Sequence, residues 1–121
     1  MSKRILVVED QEDNRRIVRD LLTSAGYELI EATTGEDGVT MAETHRPDLI
    51  LMDIQLPGLD GYDATRRIKA NPALRQIPII AVTSYALSGD DAKARQAGCD
   101  AYVAKPFSPR QLLAKIREFL P

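Results

Sequence analysis

The sequence predicts an α/β domain built on a doubly wound, five-stranded parallel sheet. Three short runs, Arg4 to Val8, Asp48 to Met52 and Pro78 to Thr83, are rich in Ile, Leu and Val and lack polar alternation, as strands covered on both faces do. Stretches with helical spacing of apolar residues lie between the strands, and strand-helix alternation demands a parallel sheet with right-handed crossovers.

The first strand, Arg4 to Val8, leads into a helix whose Ile17, Val18, Leu21, Leu22 and Ala25 share one face. Gly26 stands where that helix needs a left-handed residue to stop. Glu28 to Ala32 (ELIEA) is mixed in polarity, as an edge strand should be. A weaker helical pattern covers Gly35 to His45. The third strand, Asp48 to Met52, is followed by Pro57, Gly58 and Gly61, which shape a turn, and then by a helix near Asp60 to Ala70. Pro78 to Thr83 is the fourth strand. The helix expected over Ser88 to Ala97 (SGDDAKARQA) has a cap and acids in its first turn but only alanines to bury, so packing should anchor it loosely. Ala101 to Ala104 (AYVA) forms the other edge strand. The last helix is the most strongly signalled: Ser108 and Gln111 make a capping box, Pro109 takes the first helical position, and Leu112, Leu113, Ile116 and Leu120 line one face. Five such units fit the flavodoxin-like strand order 2-1-3-4-5.

At 121 residues the chain fits one domain spanning 1–121, with no repeat, linker or low-complexity tail. Its 44% hydrophobic and 28% charged residues match a globular chain, excluding disordered and membrane classes. A net charge of −2 with both signs interspersed gives no footprint for nucleic acid or an anionic membrane. Cys99 is the only cysteine, which removes intrachain disulfides and cysteine zinc sites. MSKRILVVED has too short an apolar run for a signal peptide, so the expected location is cytoplasmic. Cys99 reads as a small buried side chain and His45 as a solvated helix-end cation.

Function is signalled by the polar residues at the ends of the buried strands: Glu9 and Asp10 after the first, Asp53 after the third, Thr83 closing the fourth and Lys105 past the fifth. Parallel strands bring their carboxyl ends to one edge, where open α/β sheets bind ligands near the switch in strand order. Taken singly, Asp53 is a strand-end cap, Glu9 and Asp10 an ordinary helix start, Thr83 a β-branched strand residue and Lys105 a loop charge. Together they describe something else. Three converging carboxylates repel one another and suit a hard divalent cation; magnesium fits because it uses few protein carboxylates and keeps waters for a phosphate to replace. A lone ammonium and a hydroxyl then suit an anion beyond the metal. The set describes a phosphoryl site in which an Asp can itself be the nucleophile.

VVEDQ, LILMDIQLPGLDG, AVTSYA and AYVAKPF, in this order and at these separations, resemble the receiver domain of two-component response regulators over the whole chain. EDQEDNRR, DIQLP and YALSGDD are most similar to stand-alone regulators of the DivK type and to receivers attached to hybrid kinases. The resemblance implies that Asp53 takes a phosphoryl group from a phosphohistidine on a histidine kinase or phosphotransfer protein, with magnesium. It implies that Asp10, Asp53 and the backbone carbonyl of Gln55 bind the metal directly and that Glu9 acts mainly through a water. Lys105 would pair with the phosphoryl oxygens, Thr83 would swing to bond them, and Tyr102 would turn inward. The Lys105-Pro106 bond would be cis. The change would be read by a downstream protein at the surface of the fourth helix, fifth strand and fifth helix. The family's paired Asp-Asp is Glu9-Asp10 here, and Ser84 stands where Ala is common; both should modulate rates.

The resemblance makes the chain a phosphoprotein switch, not a turnover enzyme, with only self-phosphorylation and self-dephosphorylation, acting as a monomer or a weak phosphorylation-dependent dimer. With no output segment after Pro121, output is expected through another protein. Two alternatives remain at this level. A receiver-like module could act without phosphorylation. An aspartyl-phosphate phosphatase resembling haloacid dehalogenases would need a D-x-D motif, but residue 55 is Gln.

Overall fold

The computed structural model describes residues 2–83 and 90–121. Five parallel strands, β1 (Arg4–Val8), β2 (Glu28–Ala32), β3 (Leu49–Asp53), β4 (Ile79–Thr83) and β5 (Ala101–Ala104), form one sheet in the order β2-β1-β3-β4-β5. The helices between and after them are α1 (Glu12–Ser24), α2 (Gly35–His45), α3 (Gly61–Ala70), α4 (Asp90–Ala97) and α5 (Pro109–Phe119).

The strand pleat sorts the core into two layers. Ile5, Val7, Leu49, Leu51 and Ile80 pack with Val18 and Leu22 of α1 and Leu112 and Ile116 of α5. Leu6, Val8, Ile50, Met52, Ile79 and Ala81 face Ala42 of α2, Ala64 and Ile68 of α3 and Ala94 of α4. Adjacent residues of one strand thus serve opposite layers, which is why β1, β3 and β4 read as continuous apolar runs.

The two mixed runs are the edge strands, as their polarity requires. Gly26 has φ 94 and ends α1, and both halves of the Ser108–Gln111 capping box form on α5. Three boundaries, on two strands, differ from the sequence reading by one residue each. Asp48 lies outside β3 because its carboxylate accepts a hydrogen bond from Arg4 N at 2.8 Å, and Asp53 joins the strand opposite Val82. Pro78 stays outside β4, since it has no N–H for the ladder, although its carbonyl accepts from Ile50 N at 2.9 Å. Asp60 caps α3 from outside, accepting from Asp63 N at 2.9 Å. The start of the fourth helix expected at Ser88, and Ser84, lie outside the described residues.

Candidate phosphoryl and metal site

The carboxyl ends of β1, β3, β4 and β5 bring together the residues that the sequence singled out. Carboxylate oxygens of Glu9, Asp10 and Asp53 all lie within 4.8 Å of one another. Glu9 and Asp53 are 5% and 4% exposed, whereas Asp10 is open to solvent. Asp53 is held in place by pairing with Val82 of β4, and Ile54 N donates to Val82 O at 3.1 Å. Gly61 makes the approach possible: a Cβ there would sit 2.2 Å from the Asp53 carbonyl oxygen. In the turn, Gln55 N donates to Asp53 Oδ1 at 3.2 Å, so its backbone is tied to the aspartate two residues before it.

Lys105 enters from the turn after β5. Its Nζ lies 2.8 Å from Glu9 Oε1 and 3.5 Å from Asp53 Oδ2. Lys105 N donates to Thr83 O at 2.6 Å, joining this turn to the end of β4. The Lys105-Pro106 bond is cis. Thr83 is 1% exposed at the end of β4. Tyr102 is half-buried on β5 and packs against the layer that contains Ala94 and Cys99. The site residues thus converge, with Tyr102 one strand away and Ser84 undescribed. Cys99 is buried and His45 is exposed in the last turn of α2, as expected.

The electrostatics arise from crowding. Burial, then the hydrogen bond and negative charge of Glu9, push the Asp53 carboxyl up to about 7; the Lys105 charge and the Gln55 N–H oppose this without reversing it. Burial also disfavours ionised Glu9, but its bonds with Asp53 and with the nearer Lys105 ammonium outweigh that and hold it below the usual carboxylate range. Asp10, although open to solvent, is raised by partial desolvation against its neighbours and by its bond with Glu9. Burial disfavours the Lys105 ammonium, yet Glu9 and Asp53 hold it above the ordinary lysine value. With all three acids ionised, one ammonium leaves two negative charges in excess. An all-oxygen donor set of that charge fits a hard divalent cation.

The sequence did not reveal that Lys105 pairs with Glu9, nor that Arg15, Arg19, Glu12 and Glu31 form an ion-pair network beside the acids. The i,i+3 spacing of Glu12 and Arg15 was a local signal for it; the link to Glu31 depends on the β1-β2 pairing. A cavity of about 480 Å³ adjoins the site, with Glu9, Asp53 and Lys105 at one side and Ile17, Phe107 and Leu112 at the other.

The response regulator receiver domain family matches over residues 5–117. The chain belongs to this family. It is 45% identical over 120 residues to the polar-differentiation response regulator DivK of Brucella anthropi, covering 99% of this chain and 98% of that one; DivK of Brucella ovis is 44% identical over the same length. The receiver domain of a sensor histidine kinase from Pseudomonas aeruginosa PAO1, whose crystal structure has a magnesium ion coordinated in its active-site cleft, shares 42% identity at a TM-score of 0.93, covering 99% of this chain and 98% of that one. The chemotaxis response regulator CheY4 of Vibrio cholerae, at 24% identity and a TM-score of 0.93, covers 98% of this chain and 99% of its own and shares the fold. The chain is a receiver domain of a DivK-like response regulator in two-component signalling. Among the described residues, no helix is long and apolar enough to cross a membrane.

Proposed function

We propose that this receiver, acting as one domain over 1–121, accepts a phosphoryl group on Asp53 from a phosphohistidine of a histidine kinase or phosphotransfer protein, and passes the change to a protein target. The observation that carries this is the buried Asp53 flanked by two further acids within 4.8 Å and by the Lys105 ammonium at 3.5 Å. Asp53 Oδ attacks phosphorus; the O–P bond forms as the P–N bond breaks, and its electron pair returns to the donor imidazole. The nucleophile must be ionised, and the Lys105 charge favours that form.

Asp10, Asp53 and the Gln55 carbonyl, with Glu9 behind them, would hold magnesium, which supplies charge neutralisation to the cluster and to the transferring oxygens. Lys105 lies within reach of a group added to Asp53, and the Thr83 hydroxyl supplies a second donor from β4. Burial of Glu9 and Asp53 limits water at the acyl phosphate. The added charge would draw on Thr83, with Ser84 and Pro106 supporting its loop and the lysine turn. Tyr102 and α4 then pass the change to the α4-β5-α5 face. The protein works as a cytoplasmic monomer or weak phosphorylation-dependent dimer with no substrate turnover beyond its own phosphorylation and dephosphorylation. Gln55 offers no acid for a leaving group, which weighs against a phosphomonoesterase.

The test is incubation with acetyl phosphate, with and without magnesium, followed by mass spectrometry. One phosphoryl group should appear on the wild type with magnesium and none on Asp53→Asn. Equal modification of the two proteins, or none in either, would refute the reading.

A further inference from the structure

Arg15 lies in the first turns of α1, and only 12% of its side chain is exposed. Every nitrogen of its guanidinium has a partner. Nη1 donates to the Glu9 carbonyl at 2.9 Å, Nη2 donates to Glu12, and Nε faces Glu31 Oε1 on β2 at 3.4 Å. Glu31 is in turn fixed by Arg19 through two bonds of 2.8 Å. A planar fork held at three points has little freedom.

The carbonyl that Arg15 grips belongs to the peptide joining Glu9 to Asp10. On the other side of Glu9, its N–H donates to Ala32 O at 3.0 Å. The backbone of the two acids is therefore pinned from β2 and from α1. Rotation of the peptide between them would swing Asp10 away from Asp53.

We infer that Arg15 is a positioning residue for the cation site: through the Glu9 carbonyl it holds Glu9 and Asp10 at the separation from Asp53 that one divalent cation needs. This rests on the reading of the acid cluster as a magnesium site. Charge alone predicts the opposite sign. Removing a cation beside an acidic cluster makes the cluster more negative and tightens magnesium, whereas loss of positioning weakens it.

Calorimetric titration with magnesium separates the two, using full-length wild type, Arg15→Ala, Arg15→Lys and Arg19→Ala. Arg15→Ala should weaken binding about tenfold, the scale for a lost outer-sphere partner. Arg15→Lys should recover part of the loss, because an ammonium can still donate to the carbonyl. Arg19→Ala, which shares Glu12 and Glu31 but not the carbonyl, should stay within about twofold. In metal-free protein, the Asp10 amide resonance should move in Arg15→Ala and stay in place in Arg19→Ala. Equal or tighter binding by Arg15→Ala, or equal weakening by Arg19→Ala, overturns the inference alone; a wild type that takes up no magnesium overturns the cluster reading with it. If Arg15→Ala does not fold, unchanged affinity in Arg15→Lys together with an unmoved Asp10 resonance overturns it.

Discussion

Helices α4 and α5 flank the same edge strand, β5, yet they are attached to the sheet by different means. The 11-residue α5 begins in a capping box and buries Leu112 and Ile116. Among its described side chains, α4 buries only Ala94 and Ala97. Burial of a Leu or Ile contributes about 2 kcal/mol, and an Ala far less. Among the described residues, the anchoring free energy at this edge is therefore concentrated in α5. A segment that must respond to one added charge has to come from the weakly attached end of the stability range, and α4 meets that condition where α5 does not.

Core substitutions give the largest test of this contrast. Ile116→Ala in α5 should cost about 2–5 kcal/mol in denaturant melts, while Ala94→Gly in α4 should cost about 1–2 kcal/mol. Equal losses would erase the distinction.

Next in size is the charge on Asp53. The Asp53 carboxyl sits at about 7 in the folded, metal-free protein against 3.8 as its ordinary value. A raised value means that the protonated form is favoured on folding. Its contribution is present in full below about pH 4 and is lost as pH rises to about 7. Asp53→Asn should therefore stabilise metal-free protein at pH 8 by on the order of 1–3 kcal/mol and flatten the pH dependence between 4 and 7. Because Asp53 is built into β3, the effect should appear in global unfolding; a change confined to α4 amides would break the comparison.

The smallest effect is at the cap. Ser108 Oγ accepts from Gln111 N at 3.1 Å and Gln111 Oε1 accepts from Ser108 N at 3.0 Å. Ser108→Ala should cost about 1 kcal/mol by thermal melt. A loss near zero would mean that side-chain packing alone secures α5.

Local signals explain why α5 was more strongly signalled than α4, which was expected over Ser88 to Ala97 on a cap and first-turn acids alone. Ser108, Pro109 and Gln111 specify a start, and Leu112, Ile116 and Leu120, each about one turn from the next, specify a face. The ARQA stretch of α4 carries no such face. Asp53, Glu9, Asp10 and Lys105 were legible because each stands at or just past a strand end, and parallel strands share one end. The grip of Lys105 on Glu9 and that of Arg15 on the Glu9 carbonyl were not legible, because they depend on which strands are neighbours and on side-chain reach. Likewise, the one-residue offset of β3 was set by Asp48 bonding back to Arg4, a contact across 44 residues that no local pattern encodes.

The link between Asp53 and α4 is tested most directly by amide NMR of magnesium-loaded protein before and after addition of beryllofluoride, a phosphoryl mimic. The α4 and β5 amides, including that of Tyr102, should shift, while those of Leu112 and Ile116 in α5 stay close to their starting positions. Shifts confined to the ends of β1 and β3, or larger in α5 than in α4, would contradict it.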